Sequence, residues 1–284
     1  PDADEHRERI AHAVKRIVAG DVGKVVLARS VDLVLDEQIR PAEFLDALAG
    51  GNAGHNAFAV DLGAATGSGS WLLGASPEAL LRKSGSTVTC HPYAGSAPRS
   101  ADPAADRATA DELASSAKDL AEHAFVVDHL RERLGHLCDD VDAPSTPQLE
   151  STGEMWHLAT PIRATLRDPA TTALDLALLL GPTPAVCGTP PSDVAAQIIR
   201  DVEGDRGFYA GTVGWCDAAG GRRMDGHHPL RRTRSRWSEP ADVGRRRHRR
   251  TLRSAGGTGR DRVQVEDCAE RARDESDLSY DRRR

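Results

Sequence analysis

Four short segments of this 284-residue chain carry side chains suited to proton transfer or metal binding. Lys24 opens KVVLARS, Glu78 lies in GASPE, Glu122 precedes a histidine in KDLAEHAF, and His157 begins WHLATP. Lysine, glutamate and histidine are the usual general acids and bases, and carboxylates are the usual protein ligands of hard cations. Each also has an ordinary structural reading. Lys24 could be a solvated strand end, Glu78 a helix-dipole partner, Glu122 a surface charge, and His157 a half-buried packing residue beside Trp156. No spacing among them forms a metal signature.

The elements that must position these residues can be read from periodicity and punctuation. Residues 3–19 read as an amphipathic helix, with Ile10, Val14, Ile17 and Val18 on one stripe and Gly20 as the stop. KVVLARSVDLVL (24–35) is β-branched and reads as a strand, and PAEFLDALAG as a short helix between Pro41 and Gly50. AFAVDLG and WLLGAS read as strands, and SPEALL as a new helical turn capped by Ser76. A strand is expected at VTCHPYAG, a long helix over about 102–137, and one strand through WHLATPIRATL. TALDLALLLG and SDVAAQIIRDV read as helices, and RGFYAGTVGWCD as a strand entering a turn. Strands often follow one another directly, which favours an α+β fold over a doubly wound sheet.

Composition bounds the rest. Residues 221–284 hold 19 Arg, no Lys and 11 acidic residues, a net +8. The remainder holds 18 basic and 32 acidic residues, a net −14. The five cysteines (Cys90, Cys138, Cys187, Cys216 and Cys268) show no CxxC spacing, so reduced thiols in a cytoplasmic protein are expected, without zinc. No apolar run has the length of a membrane span, and no signal peptide opens the sequence. It begins at Pro1, which reads as a cut end.

Taken in order, KVVLARS, LLGASPEALLRK, HPYAGSAPR, SSAKDLAEH, PQLESTGEMWHLATP, LLLGPTPAVCG and EGDRGFYAGTVGWCD resemble the chorismate-utilising enzymes, and among them the isochorismate synthases. The resemblance covers about residues 5–220. It implies two stacked antiparallel sheets with helices outside, here incomplete at both ends: a partial chorismate-binding domain over 1–220 and an Arg-rich tail over 221–284.

The implied reaction is Mg²⁺-dependent: water attacks C2 of chorismate, the ring double bonds shift, and the C4 hydroxyl leaves. The product would serve siderophore or menaquinone synthesis. By matching positions, Lys24 is the base for water, Glu78 the acid for the leaving hydroxyl, and Glu122 a Mg²⁺ ligand. A lysine can be that base only when neutral, and Glu78 the acid only when protonated. His157 matches a ring-contacting histidine, Gly95 and Ser96 match backbone close to substrate, and Thr183, Ala185 and Gly188 match the pocket wall. Tyr209 and Gly211 in FYAG match further substrate contacts. Lys24 argues for water rather than ammonia as nucleophile, so no glutaminase subunit is expected as a partner. Salicylate synthase, which keeps the lysine, is the main rival.

After Gly221 the resemblance stops. The family's carboxylate-binding arginine, its glycine-rich strand and its second metal carboxylate do not follow. Arginine-rich strings here suggest coding DNA read in a shifted frame. Met224–Asp225 requires ATG-GA, which shifted by one base reads TGG, a tryptophan where the family has one. Permitted codons likewise turn RRRHRR into GGGIV. The expectation is a tail that makes no core and a chain with impaired activity. A basic nucleic-acid-binding arm is the competing reading of the tail. With Trp237 and Tyr280 its only aromatics, nucleic acid is not expected as a partner, nor is a membrane.

Overall fold

The amphipathic run at the start folds as α1 (Ala3–Val18), ended by Gly20 in the left-handed region at φ 83°. The computed structural model describes residues 3–28, 30, 32, 39–50, 56–67, 69–189, 192–218, 220, 222–226 and 231–234. Of the strand expected over 24–35, β1 (Lys24–Val25) is seen, and residues 29, 31 and 33–38 lie outside the described residues. Next come α2 (Pro41–Gly50), β2 (Ala57–Asp61), α3 (Gly63–Thr66) and β3 (Ser70–Ala75).

The helical turn expected at SPEALL is instead strand β4 (Ala79–Ser84). It forms a hairpin with β5 (Thr87–Cys90), closed by Gly85 at φ 57°, with Ser84 opposite Thr87. A two-residue Gly-Ser loop matches the twist of paired strands, and that pairing outweighs the helix-start signal of Ser-Pro. The strand expected through VTCHPYAG breaks at Pro92 into β5 and β6 (Tyr93–Pro98). WHLATPIRATL likewise breaks at Pro161 into β9 (Met155–Ala159) and β10 (Ile162–Leu166). Proline cannot donate to a ladder, so both chains turn a corner there. β5 pairs with β10 in one sheet and β6 with β9 in another.

The long helix is two helices, α4 (Pro103–Ser115) and α5 (Ala117–Gly135). Ser116 at φ −67°, ψ 110° breaks it, and its hydroxyl accepts from Asp119 N at 3.2 Å to start α5. The remaining elements are β7 (Cys138–Asp142), β8 (Gln148–Thr152), α6 (Ala173–Leu180), β11 (Gly188–Thr189), α7 (Ser192–Glu203), β12 (Thr212–Cys216), β13 (Arg222–Gly226) and β14 (Arg231–Arg234).

Every ladder among the described residues is antiparallel, as the α+β reading requires. The strand orders are β12-β13-β4-β5-β10-β7, β14-β3-β2, β6-β9-β8 and β1-β11. Beyond residue 220, β13 joins β12 to β4 and β14 joins β3. Ladder bonds are made by backbone, so an arginine-rich strand can still satisfy its neighbours' N–H and C=O groups. The other tail residues lie outside the described residues.

Two apolar cores result. The larger joins β4, β5, β10, α5 and α6 through Leu81, Val88, Leu130, Leu134, Ile162, Leu176 and Leu180. The smaller joins α1, β1 and α7 through Ile10, Ala13, Val25, Ala195 and Ile198.

Candidate active site

The two cores meet at a buried ion pair. Lys24 Nζ on β1 lies 2.9 Å from Glu122 Oε1 on α5, although the residues are 98 apart in sequence. Their side chains are 4% and 10% exposed. Neither is the solvated end or surface charge that its sequence context allows. β1 is placed by β11, where Lys24 is opposite Thr189 and Val25 opposite Gly188. Gly188 is required there: a Cβ would stand 2.2 Å from the Lys24 carbonyl oxygen and 2.7 Å from Ala195 Cβ. Arg206 ties the same pair together from behind, donating to Val26 O at 2.7 Å and to Val186 O at 2.8 Å.

Glu78 is buried and is set by a local lock at the start of β4. Ser76 Oγ donates to Glu78 O at 2.8 Å and accepts from Glu78 N at 3.2 Å. The Glu78 carboxyl lies within electrostatic reach of Cys90, Tyr93 and His123, near α5 and β6. Burial, with smaller contributions from Cys138 and Glu78, pushes the Cys90 thiol up to about 12, so it stays protonated.

His157 is the centre of a second cluster, on the β6-β9-β8 sheet. Its Nδ1 is 2.7 Å from Ser96 Oγ and its Nε2 2.6 Å from Thr152 Oγ1. Gly95, at φ 77°, forms the bulge just before Ser96, and a Cβ there would stand 3.2 Å from both Asp119 Cβ and Leu158 Cδ1. The two clusters are joined by His123, which the sequence marks only as the second member of a Glu-His pair, with no role of its own. Its Nδ1 meets Ala94 O at 3.1 Å and its Nε2 meets Thr160 Oγ1 at 2.7 Å. A carbonyl only accepts, so Nδ1 carries the proton and Nε2 accepts from Thr160. Burial lowers the His123 pKa, which keeps the ring neutral in that arrangement.

Thr183 and Ala185 lie on the loop before β11. Ala185 packs on the larger core, and the buried Thr183 Oγ1 has no hydrogen-bond partner among the described residues. Tyr209 and Gly211 are not drawn into either cluster. Tyr209 is exposed with Arg206 5.7 Å from its ring centroid, and Gly211 N donates to Phe208 O at 3.2 Å.

Residues 1–222 match the family model described as chorismate binding enzyme. The chain belongs to this chorismate-binding family. Among family relatives, MenF of Mycobacterium tuberculosis is 47% identical over 231 residues, which are 80% of this chain and 61% of MenF. Isochorismate synthase DhbC of Bacillus subtilis is 45% identical over 223 residues, 78% of this chain and 56% of DhbC. The crystal structure of DhbC from Bacillus anthracis superposes with a TM-score of 0.78 at 38% identity, covering 82% of this chain and 63% of that one. The chain thus spans 56 to 61% of the length of these two sequence relatives.

The Mg²⁺ that the resemblance implies can be tested against the donors present. Glu122 supplies the right oxygen chemistry, but its carboxylate is already paired with the Lys24 ammonium. Among the described residues no group of three His, Cys, Asp or Glu side chains could hold a metal. These donors do not complete a Mg²⁺ site. Among the described residues, also, no helix is long and apolar enough to cross a membrane.

Proposed function

We propose that the chain is of the isochorismate synthase type, whose reaction turns chorismate into isochorismate for siderophore or menaquinone synthesis. The observation that carries this reading is the buried meeting of Lys24 with Glu122, beside Glu78 and His123, in a family fold. To serve as base Lys24 must first give up the ammonium proton that pairs it with Glu122; the free amine then takes a proton from water as the oxygen bonds to C2 of the ring. The double bonds shift, the C4–O bond breaks with its electron pair, and Glu78 donates the proton that releases water. Base and acid come from β1 and from the start of β4, so they approach one substrate from different elements. Removing bulk water from such a site strengthens both proton transfers.

Little or no turnover is expected of this chain, because the described residues offer one family metal carboxylate, not two. The test is to incubate the purified chain with chorismate and Mg²⁺ and resolve the products. Isochorismate that persists without pyruvate supports the reading, and pyruvate release would replace it with salicylate synthase. Robust turnover lost in Lys24→Ala would overturn the expected impairment. Sequencing the coding DNA across the codons for Trp215 to Met224 tests the shifted-frame account of the tail. An unbroken frame there would sink it.

A further inference from the structure

We propose that Tyr93 and Glu150 are positioning residues that hold the His157 ring in the plane in which it meets a ligand. The proposal deepens the chorismate reading and rests on it for the identity of that ligand.

Ser96, His157 and Glu150 are Cα partners across β6, β9 and β8, so their side chains share one face of the sheet. The two hydroxyls on the His157 ring, from Ser96 and Thr152, can each donate or accept. They satisfy both nitrogens but rotate freely about their C–O bonds, so they resist a tilt of the ring poorly.

Tyr93 supplies the missing constraint. Its ring stacks on His157 with centroids 5.0 Å apart and planes 11° from parallel. In a regular strand Tyr93 and Ser96, three residues apart, would point to opposite faces. The bulge between them sets three residue steps on β6 against two on β9, from Ala159 to His157. Both side chains therefore reach the His157 face, and the left-handed Gly95 makes the bulge possible.

The stack is itself tethered. Tyr93 donates its hydroxyl to Glu150 Oε2 at 2.9 Å. Glu150 Oε1 is 3.0 Å from His91 Nε2, an ion pair when that ring is protonated but out of line for a hydrogen bond. His91 in turn sits edge-on to Tyr93 at 5.3 Å. Burial, then the bond to Glu150, raises the Tyr93 phenol well above its ordinary value, so it remains a donor. A ring held this way has no orientation to lose when a ligand arrives.

The test uses the full chain, ligand-free, with ¹⁵N-labelled histidine, and the His157 ring signals identified by their loss in His157→Gln. Tyr93→Leu and Glu150→Ala are expected to move both ring nitrogens toward the averaged values of a free imidazole. Glu150→Gln can still accept from the phenol and is expected to restore the wild-type pattern. Unchanged His157 nitrogens in Tyr93→Leu, with a native backbone fingerprint, would overturn the proposal. If Tyr93→Leu does not fold, unchanged nitrogens in Glu150→Ala overturn it equally, since Glu150 is only partly buried. Chorismate binding is expected to weaken about tenfold in Tyr93→Leu and Glu150→Ala and to return in Glu150→Gln. If chorismate neither binds the wild type nor shifts His157, the functional reading fails. The ligand-free spectra still decide the positioning.

Discussion

Replacing Lys24 with Met removes the ammonium from a carboxylate that has almost no water to turn to. At the observed 2.9 Å the gross attraction is about 6 kcal/mol for an effective dielectric of about 20, and desolvation of both groups offsets much of it. The single change leaves Glu122 buried without its cationic partner, which costs up to about 3–5 kcal/mol. Lys24→Met/Glu122→Leu removes both charges and should lose far less than the single variant, a coupling that a double-mutant cycle isolates. Urea unfolding followed by circular dichroism reads this directly. With a slope of about 3 kcal/mol/M, the midpoint of Lys24→Met should fall by up to about 1–1.7 M, and the double variant should recover most of it. A shift below about 0.3 M for Lys24→Met would refute the reasoning, because it would mean that Glu122 finds water or another partner at no cost.

Three further outcomes follow from the same geometry. Thr189 is buried and its Oγ1 has no hydrogen-bond partner among the described residues, so Thr189→Val should stabilise the fold by about 1 kcal/mol. For a domain of this size that raises Tm by about 2–4 °C in a thermal scan. Gly188→Ala should be destabilising by about 1–3 kcal/mol, because the added methyl meets the Lys24 carbonyl at 2.2 Å and one backbone must move; a lowered urea midpoint checks it. Asp106 accepts from Arg99, Ser100 N and Trp156, and the Arg99 guanidinium above all holds its carboxyl well below the usual carboxylate range. The folded-state pKa is depressed, so its stabilisation is present above about pH 4 and is lost as pH falls below that. Asp106→Asn should therefore show a shallower loss of urea midpoint between about pH 5 and 2 than the wild type.

The places where local reading and structure part company share one cause. Ser-Pro before Glu78 is a fair helix start, yet Ala79–Ser84 is drawn into a ladder by its pairing with β5 and β13. The 102–137 helix has continuous helical pattern, and its break depends on one serine choosing to cap rather than continue. Pro92 and Pro161 were visible as residues, but that both mark the same corner between two sheets follows only from β5–β10 and β6–β9 pairing. Tyr93 and Glu150 carried no signal of their own, and His123 stood out only as the neighbour of Glu122. His123 sits beside Glu122, and Tyr93 lies in HPYAG, but each gains its meaning from a partner in another strand or helix.

By itself the sequence determined the inventory and the lineage: the lysine, the three glutamate and histidine positions, the ordered motifs of the family, and the helices α1, α2, α6 and α7. Periodicity and capping act over a few residues, so they survive in a one-dimensional reading. The tertiary structure alone decided that Lys24 meets Glu122 across 98 residues, that a bulge turns Tyr93 onto His157, and that Gly188 must lack a side chain. Those outcomes rest on ladder register and on which groups share buried space. Both depend on contacts between distant parts of the chain, whose energies no local pattern records.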